Sequence, residues 1–221
     1  MPGFAGPINS IMNLINLFIR PHTFFSERRG QPDRLWVVLG AWIVGAASAA
    51  DQIDKKLLQA EVKGHYSESL LMITQSWVGY WALVWGVGVT WAIFLWFFAG
   101  GWYRARLRWS GAHEPDKQLA RRTYMQQSLV HALPALLVAA LYTVQYPSYL
   151  DAWQAPGFSL SVVALAMLFF SCWTSFVGAT TVFQTNVGKA FVWFLVLPAV
   201  FYAVVLGALL RYMSWPQLLS A

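Results

Sequence analysis

Long apolar stretches separated by short charged segments dominate this sequence. No Asp, Glu, Lys or Arg occurs in five stretches, residues 35–50, 69–103, 123–150, 152–188 and 190–210. A hydrocarbon core of about 30 Å is crossed by roughly 20 residues of α-helix. The pattern therefore predicts a single all-α membrane domain over residues 1–221, a bundle of five transmembrane helices. We place them at about residues 33–53, 77–101, 124–146, 158–183 and 189–211.

The first apolar stretch is the shortest of the five. Residues 35–50 span only about 24 Å as a helix, so a complete crossing has to extend to Pro32 at one end or Ile53 at the other. Pro32 suits a first helical turn, where its missing N–H is not needed. A buried re-entrant hairpin is the alternative for this segment.

Residues 8–20 predict an amphipathic helix before the first span. Its polar residues recur at helical spacing and leave a wide apolar face. They are Asn9, Asn13, Asn16 and Arg20. We expect this helix to lie in the headgroup plane, held there by apolar contact, and packing on the bundle is the alternative. Pro21 should end it, and Phe24 and Phe25 should anchor at the membrane interface.

Charged residues are few, and their distribution predicts the orientation of the chain. The sequence is 58% hydrophobic and 11% charged, whereas soluble domains carry about 25% charged residues. Counted over alternate flanks of the five spans, Lys and Arg number 11 on one side and 4 on the other. Because cytoplasmic flanks carry the excess, we predict a multi-pass protein of the inner (plasma) membrane with its N-terminus cytoplasmic and its C-terminus outside. The net charge of +6 is thus explained without nucleic acid as a partner.

The most basic segment, residues 104–122, follows the second span on the predicted cytoplasmic side. Each basic residue near an anionic membrane surface contributes about 1 kcal/mol of attraction. We therefore interpret the segment as a loop that contacts anionic lipid headgroups. The residues expected to do so are Arg104, Arg106, Arg108, Arg121 and Arg122.

Tryptophans and polar residues form two faces within the predicted spans. In the second span Trp77, Trp81 and Trp85 recur at four-residue steps and share a face. That face is expected to pack or to anchor at the interface, with a lipid- or ligand-binding role as the alternative. In the third span a second face lies beside Pro134. It consists of Gln127, His131, Ala135, Ala139 and Thr143.

Small residues also recur in the last two spans. Such residues let membrane helices approach closely, and polar ones hydrogen-bond across the contact. The fourth span has Ser171, Ser175 and Ala179, and the fifth has Ala199, Ala203 and Gly207. Both stripes are therefore expected to face the interior of the bundle.

No set of residues in the sequence predicts catalysis, a metal site or a cofactor. His113-Glu114 lacks the second histidine that a zinc helix requires. An ionisable group inside a span usually marks a functional site, and His131 is the candidate at membrane depth. We interpret His131 as a packing residue or, alternatively, as a ligand or proton site near Gln127 and the Trp77–Trp85 face. An enzyme is not expected.

The stretch 17–25 resembles the entry to the first span in the Ypt-interacting protein (Yip) domain family, through Pro21 and Phe24. A second similarity is an Ala-Leu-Pro sequence that ends at Pro134 in the third span. The resemblance implies five spans, a cytosolic N-terminus and an outer C-terminus. The chain looks like a short bacterial member of the family, so the resemblance implies no role in GTPase binding or vesicle transport.

These observations favour a non-enzymatic membrane protein that acts as a scaffold, an accessory subunit or a lipid organiser of the Yip type. The expected partners are the lipid bilayer, anionic lipid headgroups, and other membrane proteins or further copies of this chain. The first alternative is a small permease or the membrane subunit of a larger transporter complex. A lipid-modifying enzyme is the second alternative.

Overall fold

The computed structural model of the protein describes residues 14–28, 34–155 and 158–219, with the side chains of these ranges except 28, 34, 158–165 and 209–219. Every regular element in these ranges is helical. The helices are α1 (Pro21–Arg28), α2 (Arg34–Lys63), α3 (Glu68–Thr74), α4 (Trp77–Phe94), α5 (Gly100–Trp109), α6 (Lys117–Gln145), α7 (Tyr149–Gln154), α8 (Phe158–Val182), α9 (Val187–Ala190) and α10 (Leu197–Leu219). The π-helical segments Leu95–Ala99 and Phe191–Val196 join α4 to α5 and α9 to α10.

Four helices in the described ranges are long and apolar enough to cross a membrane. They are Leu35–Lys63, Trp77–Trp109, Lys117–Gln145 and Val187–Ala208. The second is 33 residues long, or about 50 Å at 1.5 Å per residue. It is therefore longer than a hydrocarbon core of about 30 Å requires.

The first span departs most from its predicted form. The hairpin alternative is wrong, because α2 is one continuous helix of 30 residues. The expected loop after residue 53 is absent, since the helix continues to Lys63 with an apolar face that buries Leu57 and Ala60. An i,i+4 ion pair between Lys55 and Asp51 lies on the exposed side of the same helix.

The N-terminal segment packs against the bundle. Residues 14–19 are helical, whereas the predicted positions 8–13 lie outside the described residues. Pro21 begins α1, as suits its missing N–H, and α1 contacts α8. Leu17, Phe24 and Phe25 are each at most 1% exposed. The expectation that Phe24 and Phe25 anchor at the interface is therefore wrong, because their rings fill the space between α1 and the bundle.

The core is organised around α2, which contacts both α4 and α6, while α6 also contacts α8. Helices α2 and α4 touch where glycine faces the partner backbone. A Cβ atom on Gly45 would lie 2.1 Å from the carbonyl oxygen of Gly88, and one on Gly88 would lie 2.8 Å from the Cα of Ala46. Only glycine permits backbones to approach this closely.

The two predicted small-residue stripes have different outcomes. Ser171, Ser175 and Ala179 are buried, which confirms the stripe on α8. On α10, Ala203 and Gly207 are exposed, so the second stripe is wrong. A repeated small residue indicates a face that a neighbour can approach, but it does not determine whether the chain itself supplies that neighbour.

Candidate functional site

A groove opens between α2 and α4, on one side of the contact between Gly45 and Gly88. It has a volume of about 830 Å³, within the range of about 300–1,000 Å³ usual for small-molecule sites. We call it the α2–α4 groove. Its walls include Val37, Val38 and Ala41 of α2, together with Val89, Ile93 and Trp96 of the facing helix.

One end of the groove is bounded by Trp42, which packs on Trp85 of α4. The Trp42 indole N–H donates to the backbone carbonyl oxygen of Trp85 over 3.1 Å. The two rings meet edge to face at 5.2 Å between centroids. Trp42 also lines the groove, so this contact fixes the position of the end wall.

The other end of the groove carries the polar side chains of Gln118 and Arg122. Both belong to the first turns of α6. Asp116 caps the N-terminus of this helix and accepts a hydrogen bond from the Leu119 N–H at 2.6 Å. The Arg122 side chain is half-buried and has no hydrogen bond or ion pair with the described part of the chain. A cation without a protein partner thus stands where the apolar walls end.

We call the region where α5 ends and α6 begins the basic end. The segment 104–122 was expected to be a loop, but α5 extends to Trp109 and α6 begins at Lys117. Three of the five predicted headgroup arginines are therefore helical residues of α5. Of these, Arg108 is exposed and the Arg104 Nε donates to the Pro115 carbonyl oxygen over 2.8 Å.

Arg121 lies inside the bundle at the basic end. It is 7% exposed, and its guanidinium carbon is 4.7 Å from the centroid of the Phe97 ring. Its side chain fits because the facing residue is Gly100, where a Cβ would come within 2.6 Å of the Arg121 Cγ. The Nε has no partner among the described residues. Because Phe97 also lines the α2–α4 groove, Arg121 supports the groove wall.

Arg106 lies between aromatic rings on the far side of α5. Its guanidinium carbon is 4.7 Å from the Phe194 ring centroid and 5.5 Å from that of Tyr103. One terminal N–H donates to the Trp193 carbonyl oxygen at 3.4 Å, and the Nε has no partner within the described ranges. Arg106 thereby joins α5 to the second π-helical segment. Spacing alone gave no sign that Arg106 and Arg121 differ from Arg108.

At the opposite end of the bundle, two tryptophans of the α4 stripe form hydrogen bonds within the chain. The Trp77 indole N–H donates to the Tyr146 carbonyl oxygen over 2.8 Å, and that of Trp81 donates to the Thr143 hydroxyl over 3.0 Å. These bonds join α4 to the last turn of α6. The geometry matches the packing interpretation of the stripe.

Asp54 and Tyr149 form a polar contact at this same end, which we call the tyrosine end. The Tyr149 hydroxyl donates to the Asp54 carboxylate, and its ring stacks on Tyr80 at 4.0 Å between centroids. Burial raises the pKa of Tyr149 well above its usual range, and the nearby Asp54 carboxylate adds to the effect. Sequence reasoning missed Asp54 because the predicted first span ends at residue 53, whereas the helix continues to Lys63. The signal was its helical spacing with buried Ala50 and Leu57.

Gln127 and His131 do not form a joint site with the tryptophan stripe. Gln127 is 6% exposed, and its side-chain N–H donates to the Ser128 hydroxyl at 3.0 Å. The His131 Nδ1 is buried with no hydrogen-bond partner among the described residues. The Trp81 indole bonds Thr143, which lies twelve residues or about 18 Å further along α6 than His131. A ligand or proton role for His131 stays a prediction.

Within the described ranges no group of three or more His, Cys, Asp or Glu side chains is placed to hold a metal ion. Comparisons of the chain with protein-family models, curated protein sequences and solved structures gave no match. The resemblance to the Yip domain family therefore rests on Pro21, Phe24, Pro134 and the predicted topology.

Proposed function

We propose that the chain crosses the membrane five times, with its basic end in the cytoplasm. Four helices are long and apolar enough to do so. Helix α8, with 25 residues or about 38 Å, supplies the fifth crossing. The excess of Lys and Arg on alternate flanks favours a cytoplasmic N-terminus and thus a location in the inner membrane.

Within that membrane we propose a non-enzymatic role as a scaffold or lipid organiser of the Yip type. The observation that carries this proposal is the α2–α4 groove. Its walls are apolar, and the side chains of Val38 and Ile93 at its rim are 64% and 57% exposed. In a bilayer, lipid tails occupy such a surface, and Arg122 stands at the level of their headgroups.

The N-terminal segment supplies a second contact with lipid. Ile15 and Ile19 are 49% and 70% exposed, while Leu17 between them is fully buried. One face of the segment thus packs on the bundle and the other presents apolar side chains. Such a face inserts at the boundary between headgroups and acyl chains.

Thiol labelling tests the orientation. His65→Cys and His113→Cys place thiols at exposed positions on opposite flanks, in a Cys172→Ala background. In intact cells an impermeant thiol reagent should label the His65→Cys variant, and it should label the His113→Cys variant only after lysis. The reverse result would overturn the proposed topology.

Reconstitution tests the lipid-organising role. The full chain in vesicles should cluster labelled phosphatidylglycerol, measured by energy transfer between lipid probes, and an Ile15→Gln/Ile19→Gln variant should cluster it less. Replacing each isoleucine removes at most about 1.5–3 kcal/mol of the free energy gained by burying its side chain in the membrane. A matched control is Val62→Gln/Met72→Gln, because those side chains are 49% and 73% exposed. If phosphatidylglycerol clustered equally in vesicles without the protein, the lipid-organising role would be refuted.

A further inference from the structure

We propose that the α2–α4 groove binds one acyl chain of an anionic phospholipid, with the phosphate held by Arg122. This inference rests on the proposed lipid-organising function and identifies the lipid that the protein takes. The walls of the groove are apolar, and its polar residues, Gln118 and Arg122, are confined to one end. A ligand that matches this surface has an apolar chain with a polar group at one end.

The length of the groove suits one leaflet. Its walls run from Val89 to Phe97 along the second crossing, which is eight helical steps or about 12 Å. Half of a hydrocarbon core is about 15 Å. An acyl chain that begins at the headgroup level therefore fills the groove and ends near the contact between Trp42 and Trp85.

The charge at the basic end favours a phosphate. The Arg122 side chain makes no hydrogen bond or ion pair with the described residues, so its donors are available to a ligand. Arginine binds phosphate through two parallel N–H···O bonds, and such bonds are the strong ones. Gln118 adds a neutral amide beside it. The named side chains that line the groove include no carboxylate that would repel an anion.

The same charge selects an anionic headgroup over a zwitterionic one. A zwitterionic lipid places a second cation next to its phosphate, and the guanidinium of Arg122 that holds the phosphate repels that cation. Phosphatidylglycerol, which has no such cation, should bind more tightly than phosphatidylcholine.

Lipid titration of the purified full chain in mild detergent, followed by native mass spectrometry, tests the proposal. One phosphatidylglycerol should bind in preference to phosphatidylcholine. Arg122→Gln should lower phosphatidylglycerol affinity about tenfold or more, because a hydrogen bond to a charged group contributes about 1.5–3 kcal/mol. Lys189→Gln removes an exposed cation outside the groove and should change affinity less than twofold.

A second pair of variants tests the acyl-chain site. Val38→Trp fills the groove and should displace the bound lipid. Val204→Trp makes the same change on α10 at a side chain that is also 64% exposed, and binding should persist. Glycerol phosphate, which carries the headgroup without a chain, should not compete.

Three results would overturn the inference: equal binding of the two lipids, equal effects of Arg122→Gln and Lys189→Gln, or displacement by glycerol phosphate. The last would assign the site to a soluble anion. None of these results bears on whether the wild-type chain clusters lipid in vesicles. Failure of the groove and failure of the lipid-organising role are therefore distinguishable.

Discussion

The tyrosine end and the basic end of the bundle differ in how their buried polar groups are paired. At the tyrosine end the Asp54 carboxylate accepts a hydrogen bond from Tyr149, and the Trp77 and Trp81 indoles both donate within the chain. At the basic end Arg106 and Arg121 are packed against rings, with Nε atoms that have no partner in the described ranges. The first end pairs these groups within the chain, although the buried Tyr80 hydroxyl there has no partner in the described ranges, whereas the second end buries cations against aromatic rings.

The contact between Gly45 and Gly88 separates the two ends, and breaking it should have the largest effect. Gly45→Ala places a Cβ 2.1 Å from the Gly88 carbonyl oxygen, and a backbone atom of a packed helix cannot move aside. We expect a loss of about 3 kcal/mol or more in the free energy of unfolding, measured in mixed detergent micelles, at the upper end of overpacking costs.

Gly86→Ala is the control for this variant, because nothing lies within 4 Å of a Cβ at that position. It should stabilise the helix by about 0.5–1 kcal/mol. Equal stability of the two variants would mean that α2 and α4 do not touch at Gly45.

Removing the Tyr149 hydroxyl should produce the next largest effect. Tyr149→Phe retains the stacking on Tyr80 and leaves the Asp54 carboxylate without its donor. We expect a loss of about 1.5–3 kcal/mol in the free energy of unfolding. Because the pKa of Tyr149 is raised, the hydroxyl stays protonated at about pH 10.5, where an ordinary tyrosine with a pKa of about 10 is mostly ionised. The loss should therefore be the same at about pH 7 and about pH 10.5.

A loss that disappeared between those pH values would contradict the raised pKa. If Tyr149→Phe had no effect at either pH, the tyrosine end would not be held by this hydrogen bond, and the contrast between the two ends would fail.

Arg106→Met should have the smallest effect. Contact of the guanidinium with the Phe194 and Tyr103 rings contributes about 0.5–2 kcal/mol. The hydrogen bond of Arg106 to the Trp193 carbonyl oxygen adds about 1.5–3 kcal/mol, and burial of a cation without a carboxylate partner costs several kcal/mol in return. The free energy of unfolding should therefore change by less than about 1 kcal/mol. A loss as large as that of Tyr149→Phe would indicate that the basic end is held by its arginines in the same way.

The sequence predicts helices better than it predicts their partners. Charge-free stretches located the apolar helices, because a charge inside a bilayer is costly. They did not locate the ends of α2 or α5, since both helices continue through charged turns on half-buried faces. The α2–α4 groove was not predictable either. It depends on the approach of Gly45 to Gly88, two residues far apart in sequence whose spacing has no local signature.

The two π-helical segments have a consequence for how this sequence can change. A π-helical turn accommodates one extra residue without rotating the helix on either side. In the helix Trp77–Trp109, Gly88 therefore keeps facing α2 while Arg106 keeps facing Phe194, although Leu95–Ala99 lies between them. Deletion of one residue within 95–99 can be absorbed by a return to α-helical geometry. The same deletion between Trp77 and Gly88, in regular α-helix, would turn the Trp77 side chain by about 100° relative to Gly88 and Arg106. In related sequences of different length, insertions and deletions should therefore fall within the two π-helical segments.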